Sequence, residues 1–449
     1  MESSDSCGEC RRFDMVVKAA LLYDFSMKLC IKLAVGFLFF IVAVACGTQE
    51  PPPPQPIIFS TATPSITPTT ITTPIDAQPA FTPTVISEQP PNKMGIHLLL
   101  DDGRTQWPTG LWAEHMRYAH QITGDGGYVT EVITINDLYL IKWQHFMDLS
   151  AELNLIPIIR LATTFDIENN FWVAPQADPD GRYHTIANHY ANFIAALDWP
   201  TDEHIIVVAN EPNHGNEWSG KPDPAAYARF LVDVADAVHA ADPNAIILNA
   251  GMDTYTPNTG SQPFVDGMFY MDAETFINGM VAAEPDLFAR LDGWASHPYP
   301  LGPFAIGPWE QTFQIDLIND AENPNHRPPP DGIFNRGVNG YEWELWLLEQ
   351  YGVTDLPIYI TETGWRHSIE GFPDVETAAI YIDLALNGNM NGRYPDLPQT
   401  GWTAWNNDPR VVAITPFALN GNPVEWYHTS WLIMGEDGKV LGTTPMVQE

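Results

Sequence analysis

Eight short apolar runs recur between residues 95 and 419, and helix-length segments separate most of them. The runs are Gly95–Leu100, Tyr128–Ile133, Leu155–Leu161, His204–Asn210, Ala245–Ala250, Leu291–Ser296, Pro357–Glu362 and Val411–Leu419. They are too apolar to face water on one side, which is typical of parallel strands that helices cover. The chain therefore contains a predicted α/β domain.

The segments between these runs show helical spacing of their apolar residues. The clearest are Asp137–Asn154, Tyr183–Leu197 and Ala225–Ala241, the last after a plausible helix start at Asp223-Pro224. Eight strand-helix units predict a (β/α)8 TIM barrel over residues 93–449. An open doubly wound sheet is the alternative. It would usually carry a Gly-rich phosphate loop after its first strand, and the sequence has none there.

The first 46 residues resemble an export signal. Leu33–Ala45 is an unbroken apolar run, too short for a bilayer span of roughly 20 residues but suited to a signal peptide, and Lys28 and Lys32 precede it. Met27 is a possible true start. The run ends in Ala43-Val44-Ala45-Cys46, which resembles a bacterial lipobox and predicts lipidation of Cys46. The alternative is ordinary cleavage after Ala45, which gives a secreted protein.

Residues 47–92 differ sharply in composition from the rest. Prolines 51–54 begin the segment, and Thr-Pro pairs recur at 63–64, 67–68, 73–74 and 82–83. Such a segment lacks the apolar content for a core and predicts a disordered, extended tether. Its expected role is to hold the globular domain away from a surface.

Charge and cysteine content exclude some functions. The net charge of −36 repels phosphate backbones, so we expect no nucleic-acid partner. All four cysteines lie within the first 46 residues, so residues 93–449 can form neither a disulfide nor a thiolate metal site. No metal-ligand spacing stands out among the acidic and histidine residues, and we predict no cofactor.

Two of the apolar runs end abruptly in a glutamate. Ile205–Ala209 leads into Asn210-Glu211-Pro212, and Ile358–Ile360 leads into Thr361-Glu362. A buried strand that delivers a carboxylate at its tip is costly unless something compensates the charge. Taken alone, each glutamate could merely cap the segment that follows. As a pair they suit glycosidic bond cleavage, in which one carboxyl group protonates the leaving oxygen and the other attacks or stabilises the sugar cation.

Asn210-Glu211-Pro212 on predicted strand four, with Glu362 on strand seven, resembles the clan A glycoside hydrolases, which include the cellulase-like family 5 and the xylosidase-like family 39. The resemblance implies that Glu211 is the general acid/base and Glu362 the nucleophile. It also implies that Asn210 hydrogen-bonds the sugar 2-hydroxyl. No cofactor is implied.

Strand six ends in Ser296-His297-Pro298-Tyr299, similar to the His-x-Tyr that follows strand six in family 5. The resemblance implies that the Tyr299 hydroxyl orients Glu362 and that His297 lines the sugar site. The alternative is a pair of loop residues that satisfy each other beside the prolines.

Further candidates lie beside these motifs. Trp365 follows Glu362 and Trp218 follows Glu211, so each is a possible stacking platform for a sugar ring or a packing residue. His97 on strand one could reach the pocket floor. His214 lies close enough to Glu211 in sequence to influence its protonation.

The sequence departs from the clan pattern in two places. Clan members commonly carry an arginine near the end of strand two. None is there, and Arg160 on strand three is the candidate replacement unless the strand count is off by one. Many members also present a tryptophan at strand eight, which here ends in Phe417-Ala418-Leu419, with Trp426 only later. The long insertion from Leu301 to Asn339 could wall one side of a cleft.

Together these features predict a tethered, outward-facing retaining glycosidase that acts on a β-linked poly- or oligosaccharide. Two alternatives stay open. One is a transglycosylase that uses the same residues with a sugar acceptor. The other is a non-catalytic carbohydrate-binding lipoprotein.

Overall fold

The computed structural model describes residues 91–447, apart from 255, 257 and 312–336. The predicted signal peptide, Cys46, nearly all of the tether and the middle of the insertion after strand six lie outside the described residues. Of the helices in the described part of the chain, none combines the length and apolar character needed to cross a bilayer.

Eight parallel strands form the centre of the domain. They are β1 Gly95–His97, β2 Gly127–Thr134, β3 Leu155–Ala162, β4 His204–Val208, β5 Ala245–Leu248, β6 Trp294–Ser296, β7 Ile358–Ile360 and β8 Val411–Ile414. All eight predicted strands are present. Five of them end two or more residues earlier than predicted, because the chain turns toward the barrel mouth before the apolar run is over.

The strands close into a ring. Strands β1 to β5 form one parallel sheet in sequence order, and β6 to β8 form a second. Isolated parallel bridges join the two sheets at both edges, Leu248 with Gly293 at one edge and Met94 with Ile414 at the other. An eight-stranded parallel ring of this kind is a TIM barrel. The ring excludes the alternative of an open doubly wound sheet.

Among the described residues, one helix of ten or more residues follows each of the strands β1 to β7. These helices are α1 Trp112–Thr123, α2 Leu140–Glu152, α3 His184–Ile194, α4 Pro224–Ala241, α5 Ala273–Ala283, α6 Gly340–Glu349 and α7 Val375–Asn387. Helix α4 begins where the sequence predicts, since the Asp223 carboxylate accepts a hydrogen bond from the Ala226 N–H. A hairpin, Leu432–Met434 with Val440–Thr443, follows β8, and a small ribbon, Phe165–Asp166 with Phe171–Trp172, follows β3.

Successive side chains along each strand point to opposite faces of the sheet, so the barrel has two apolar cores. One face packs against the helices in a large apolar cluster. The other fills the barrel with a smaller cluster that includes Ile158, Val207 and Ala295. Two residues beyond Ile158 and Ala295 the same inward face carries Arg160 and His297. The barrel interior thus ends, at its carboxyl edge, in charged and polar side chains.

Candidate active site

Glu362 lies just beyond β7, buried at the mouth of the barrel. The Arg160 Nη1 atom donates a short hydrogen bond to its Oε1 atom, and the Tyr299 hydroxyl donates to Oε2 at 3.0 Å. Both oxygens of this carboxylate therefore have a donor. Arg160 lies on β3, and its side chain reaches Glu362 from there. This is the residue that the sequence analysis named as a candidate replacement for the arginine missing from strand two.

The charge state of Glu362 follows from these contacts. Burial alone would raise its pKa, but Arg160, and after it His297 and His97, outweigh burial and lower the pKa to about 2. Burial raises the pKa of the Tyr299 hydroxyl well above its ordinary value, and the Glu362 charge raises it further. Glu362 is consequently an ionised, oriented carboxylate at neutral pH, and Tyr299 stays protonated as its donor.

An unusual backbone delivers Glu211 to the same mouth. Ala209 and Glu211 have φ angles of 74° and 30°, in the left-handed region that non-glycine residues seldom adopt. These turns break the strand alternation directly after β4. The Ala209 N–H donates to the Leu161 carbonyl at 3.0 Å, and the Glu211 N–H donates to the Gly251 carbonyl at 3.1 Å. The neighbouring strand ends thus hold a strained conformation of the type that clusters at functional sites.

Two histidines contact the Glu211 carboxylate. His297 Nδ1 lies 2.9 Å from Oε1, and His214 Nδ1 lies 3.6 Å from Oε2. Burial opposes a charge on His297, but the nearby Glu362 and Glu211 outweigh it and raise its pKa. His297 also lies 4.0 Å from Glu362, measured from Nδ1 to Oε2, so its ring lies between the two carboxylates.

The two carboxylates face each other at short range. One atom each from Glu211, His297 and Glu362 lie within 4.8 Å of one another. Three such donors could in principle hold a cation. Here, however, the buried Arg160 guanidinium already contacts Glu362, so a metal ion would have to displace that cation or share the carboxylate with it. The arrangement fits a pair of carboxyl groups working on one substrate atom better than a metal site.

Gly251 makes the position of His297 possible. A Cβ atom on Gly251 would lie 2.2 Å from the His297 ring, well inside any real contact distance. The same glycine carbonyl holds the Glu211 backbone. A side chain at position 251 would therefore displace both partners of the His297–Glu211 contact.

His97 lies close to Glu362, where the sequence predicted a residue of the pocket floor. Its Nδ1 lies 2.7 Å from the Leu98 carbonyl, which fixes the hydrogen on that nitrogen. Burial, helped by Arg160, lowers its pKa to about 3, so the ring is neutral. Its Nε2 atom is buried without a hydrogen-bond partner in the described part of the chain and lies 3.7 Å from Glu362 Oε1.

Asn210 lies between the two halves of the site. Its Oδ1 atom accepts a hydrogen bond of 2.9 Å from Arg160 Nη1, the same atom that contacts Glu362. Because the carbonyl end of the amide is held in this way, its NH2 end is turned away from Arg160 and can donate elsewhere.

The two tryptophans beside the glutamates do not offer a stacking face, which corrects that expectation. Trp218 is 4% exposed and packs against Tyr227 and Phe230 of α4. Trp365 is 2% exposed, and its Nε1 donates to the Ile306 carbonyl at 2.8 Å. Each tryptophan closely follows a glutamate motif along the chain. After the glutamate, however, the chain turns away from the mouth, and the indole ring packs in the interior behind the site.

Sequence reasoning missed Asp253 and Glu217. The loop after β5 places Asp253 Oδ2 at 2.9 Å from His214 Nε2, with the Thr256 hydroxyl at 2.7 Å from the same nitrogen. Glu217 lies in the 3-10 turn after Glu211, and burial, followed by the charge of Glu211, raises its pKa to about 7. Asp253 belongs to no motif, so only the fold reveals it. Glu217 lies six residues after Glu211 and could have been suspected.

A continuous side wall of four residues lines the mouth beside His97. It consists of Phe417, Trp426, Arg104 and Phe165. The Phe417 ring lies 5.0 Å from that of His97 and 5.1 Å from that of Trp426. The Arg104 guanidinium lies 5.2 Å from the Trp426 ring and 4.8 Å from the Phe165 ring. Phe417 and Trp426 both lie in the segment that follows β8.

Several solved structures similar to this chain are glycosidases by name. A glucosidase from Croceicoccus marinus is 12% identical with a TM-score of 0.47, over 78% of this chain and 64% of that one. A β-1,3-glucanase from Cryptomeria japonica pollen is 16% identical with a TM-score of 0.45, over 80% and 100%. A triple mutant of an endo-β-1,4-glucanase from Xanthomonas axonopodis pv. citri is 10% identical with a TM-score of 0.42, over 79% and 96%.

No family model matches the chain, and no curated protein matches it. TM-scores below 0.5 at such low identities support no inference about activity. The fold assignment therefore rests on the closed ring of eight strands, and the assignment of the site rests on its own geometry.

Proposed function

We propose that this protein is a retaining glycoside hydrolase that cleaves O-glycosidic bonds in a β-linked oligo- or polysaccharide. One observation carries the proposal: carboxylate oxygens of Glu211 and Glu362 lie within 4.8 Å of each other at the carboxyl ends of β4 and β7. Retaining enzymes place their two carboxyl groups about 5–5.5 Å apart, whereas inverting enzymes leave room for a water molecule between them.

The charges of the site suit a double displacement. Glu362 is ionised and held by Arg160 and Tyr299, so it can attack the anomeric carbon while Glu211 gives its proton to the leaving oxygen. The glycosidic bond breaks as the ester to Glu362 forms. Glu211 then takes a proton from water, whose oxygen displaces Glu362 from the sugar. The β-linkage and the Asn210 contact with the 2-hydroxyl rest on the clan resemblance.

A lectin-like role for the barrel is the weaker alternative. Burying the ionised Glu362 beside an arginine costs desolvation free energy. A surface that only binds sugar does not require such a buried charge. A transglycosylase would use the same residues with a sugar hydroxyl in place of water. It would show itself as products longer than the substrate.

The test is a hydrolysis screen of the full chain on aryl β-glycosides and on soluble β-glucans, mannans and xylans. Glu362→Ala is expected to abolish sugar release, and Glu349→Ala, at an exposed position on α6, to leave it unchanged. Proton NMR of the first product should show a retained β-anomer. A 2-fluoro glycoside with a good leaving group should label the peptide that contains Glu362. An inverted product, or full activity in Glu362→Ala, refutes the mechanism.

We also propose that the domain is displayed outside the cytoplasm on a lipid anchor at Cys46. The apolar run before Cys46 and the Pro/Thr-rich residues 47–92 support this topology. Mass spectrometry of the mature N-terminus should find a lipidated Cys46, and Cys46→Ser should move the protein from the membrane fraction to the soluble fraction. An unmodified mature N-terminus at Cys46 would instead favour simple secretion.

A further inference from the structure

A second concave feature lies beside the catalytic mouth. This outer cleft has a volume of about 380 Å³, and its lining includes Asp101, Gln106, Asn136, Lys142 and Phe165. It lies where the loops after β1, β2 and β3 meet. Its volume is near the lower end of the range of about 300–1,000 Å³ typical of small-molecule sites.

The charges of the outer cleft are largely paired within it. Lys142 Nζ lies 2.5 Å from Asp101 Oδ2 and makes a still shorter contact with Asp137 Oδ2. One ammonium between two carboxylates leaves a small net negative charge. The cleft therefore repels anions and suits an uncharged ligand rich in hydroxyl groups, which can bond both to the carboxylates and to the ammonium.

Neutral hydrogen-bonding groups and a ring complete the lining. Within the described residues the exposed Gln106 amide makes no side-chain hydrogen bond. Asn136 donates to the Thr164 hydroxyl at 2.7 Å, which leaves its carbonyl oxygen with accepting capacity. Phe165 adds apolar ring surface beside these polar groups. Donors, acceptors and an aromatic ring in one cleft are the combination that a pyranose, with its polar rim and apolar face, requires.

A series of side-chain contacts connects the outer cleft with the candidate active site. Phe165 belongs both to its lining and to the side wall, which runs through Arg104, Trp426 and Phe417 to His97. The ring of His97 in turn lies against Glu362. A sugar chain whose reacting unit lies over Glu362 can therefore follow this wall into the outer cleft without leaving the protein surface.

We propose that the outer cleft is a sugar-binding subsite, which takes an uncharged pyranose unit remote from the bond that is cleaved. The proposal rests on the proposed function and deepens it, because it makes an extended oligo- or polysaccharide the substrate in place of a short glycoside. Binding energy from this remote unit would then be available to hold the reacting unit in place.

Binding is measured first, so that the result does not depend on turnover. The probes are β-1,3-gluco-, β-1,4-gluco- and β-1,4-manno-oligosaccharides of two to six units, titrated by calorimetry into the full chain carrying Glu362→Gln. The same titrations are made with Gln106→Ala and Asn136→Ala added. Gln350→Ala, which removes another exposed glutamine amide directly after α6 and outside the cleft lining, is the matched control. Thermal melts check that each variant is folded.

We expect affinity in at least one series to increase with chain length. The double substitution should remove about tenfold of affinity from the longer members, as the loss of two hydrogen bonds predicts, and leave the disaccharide unchanged. Gln350→Ala should bind like the parent. Affinity independent of length, an equal loss at every length, or no binding in any series overturns the subsite.

Hydrolysis by the protein with an intact Glu362 is measured in parallel. If it cleaves none of these oligosaccharides while affinity still depends on length and on Gln106 and Asn136, the subsite stands and the proposed hydrolase activity is wrong. If it hydrolyses aryl monoglycosides but the double substitution leaves binding and cleavage of long chains unchanged, the activity stands and the subsite is wrong.

Discussion

His214 links Glu211 to Asp253 across the mouth of the barrel. Its Nδ1 lies 3.6 Å from Glu211 Oε2, and its Nε2 lies 2.9 Å from Asp253 Oδ2. Burial would lower the pKa of His214, but the charges of Glu211 and Asp253 outweigh burial and raise it to about 9. His214 is therefore a cation through the neutral range, in contact with the proposed general acid.

The first prediction concerns this cation. His214 loses its charge as the pH rises through about 9, and a charged ring in contact with the proposed general acid should give a different rate from a neutral one. The basic limb of the profile of kcat/KM against pH should therefore contain a step near pH 9 in the parent, and His214→Gln, which does not titrate, should lose that step. His239→Gln breaks a comparable contact, His239 with Asp292, away from the site and should leave the profile unchanged. An unmoved basic limb in His214→Gln would show that His214 only supports the loop.

The second prediction concerns Arg160 and the acid limb of the same profile of kcat/KM against pH. Arg160→Met removes the strongest influence that holds the pKa of Glu362 near 2, so that pKa should rise and the acid limb should move to higher pH. Loss of a buried ion-pair partner should also cost about 3–5 kcal/mol of unfolding free energy. Kinetics across pH measure the position of the acid limb, and denaturant titration measures the free energy of unfolding. A weakened fold with an unmoved acid limb would contradict the electrostatic role.

Tyr299→Phe removes a single hydroxyl from the site. The hydrogen bond that it donates to Glu362 should be worth about 1.5–3 kcal/mol, as for other bonds to charged groups. Activity should therefore fall about 10- to 100-fold, with little change in the melting temperature. Tyr427→Phe, at an exposed ring near the mouth, is the control. Equal activity in both variants would remove Tyr299 from the catalytic machinery.

Glu131 makes the stability of the barrel depend on pH. It is fully buried on β2, and burial raises its pKa from 4.5 to about 8, although the Leu100 and Asp101 N–H groups donate to it. Because the folded pKa lies above the unfolded one, its favourable contribution is complete below pH 4.5 and is lost as pH rises toward 8.

The prediction for Glu131→Gln follows from the direction in which the contribution of Glu131 to the free energy of unfolding changes with pH. Between pH 5 and pH 9 the free energy of unfolding of the parent should contain a decline on the order of 3 kcal/mol from this group. The variant should lack that part of the decline, since glutamine does not titrate. Urea titrations of both proteins at the two pH values measure the difference. Parallel curves would mean that Glu131 is already ionised in the folded state.

Much of the fold could be predicted from the sequence because the strands of a barrel are local apolar runs. Strand order placed Glu211 and Glu362 at the same edge, and alternation after Ile158 and Ala295 explains why Arg160 and His297 point inward. The strand ends were predicted too long. The positive φ of Ala209 and the turn after Ile414 depend on contacts with neighbouring strands, which hydropathy does not reveal.

Side-chain partnerships over long sequence distances could not be predicted. Asp253 meets His214 only because β4 and β5 are adjacent, and nothing in its local sequence marks it. Trp218 and Trp365 show the opposite error, since proximity to a motif along the chain suggested a role that burial excludes. An aromatic residue next to a catalytic glutamate is equally suited to support the turn from behind.

The ring of strands consists of a five-stranded and a three-stranded sheet, joined at both pairs of edges by isolated bridges and a few backbone hydrogen bonds. Arg160 and Glu211 project from the larger sheet, and Glu362 and His297 from the smaller. The contacts of Arg160 with Glu362 and of His297 with Glu211 therefore connect the two sheets through side chains. The contacts that join the two sheets at this end of the barrel are the ones that hold Glu362 and Glu211 in place, so loosening either contact is expected to change the distance between the two carboxylates.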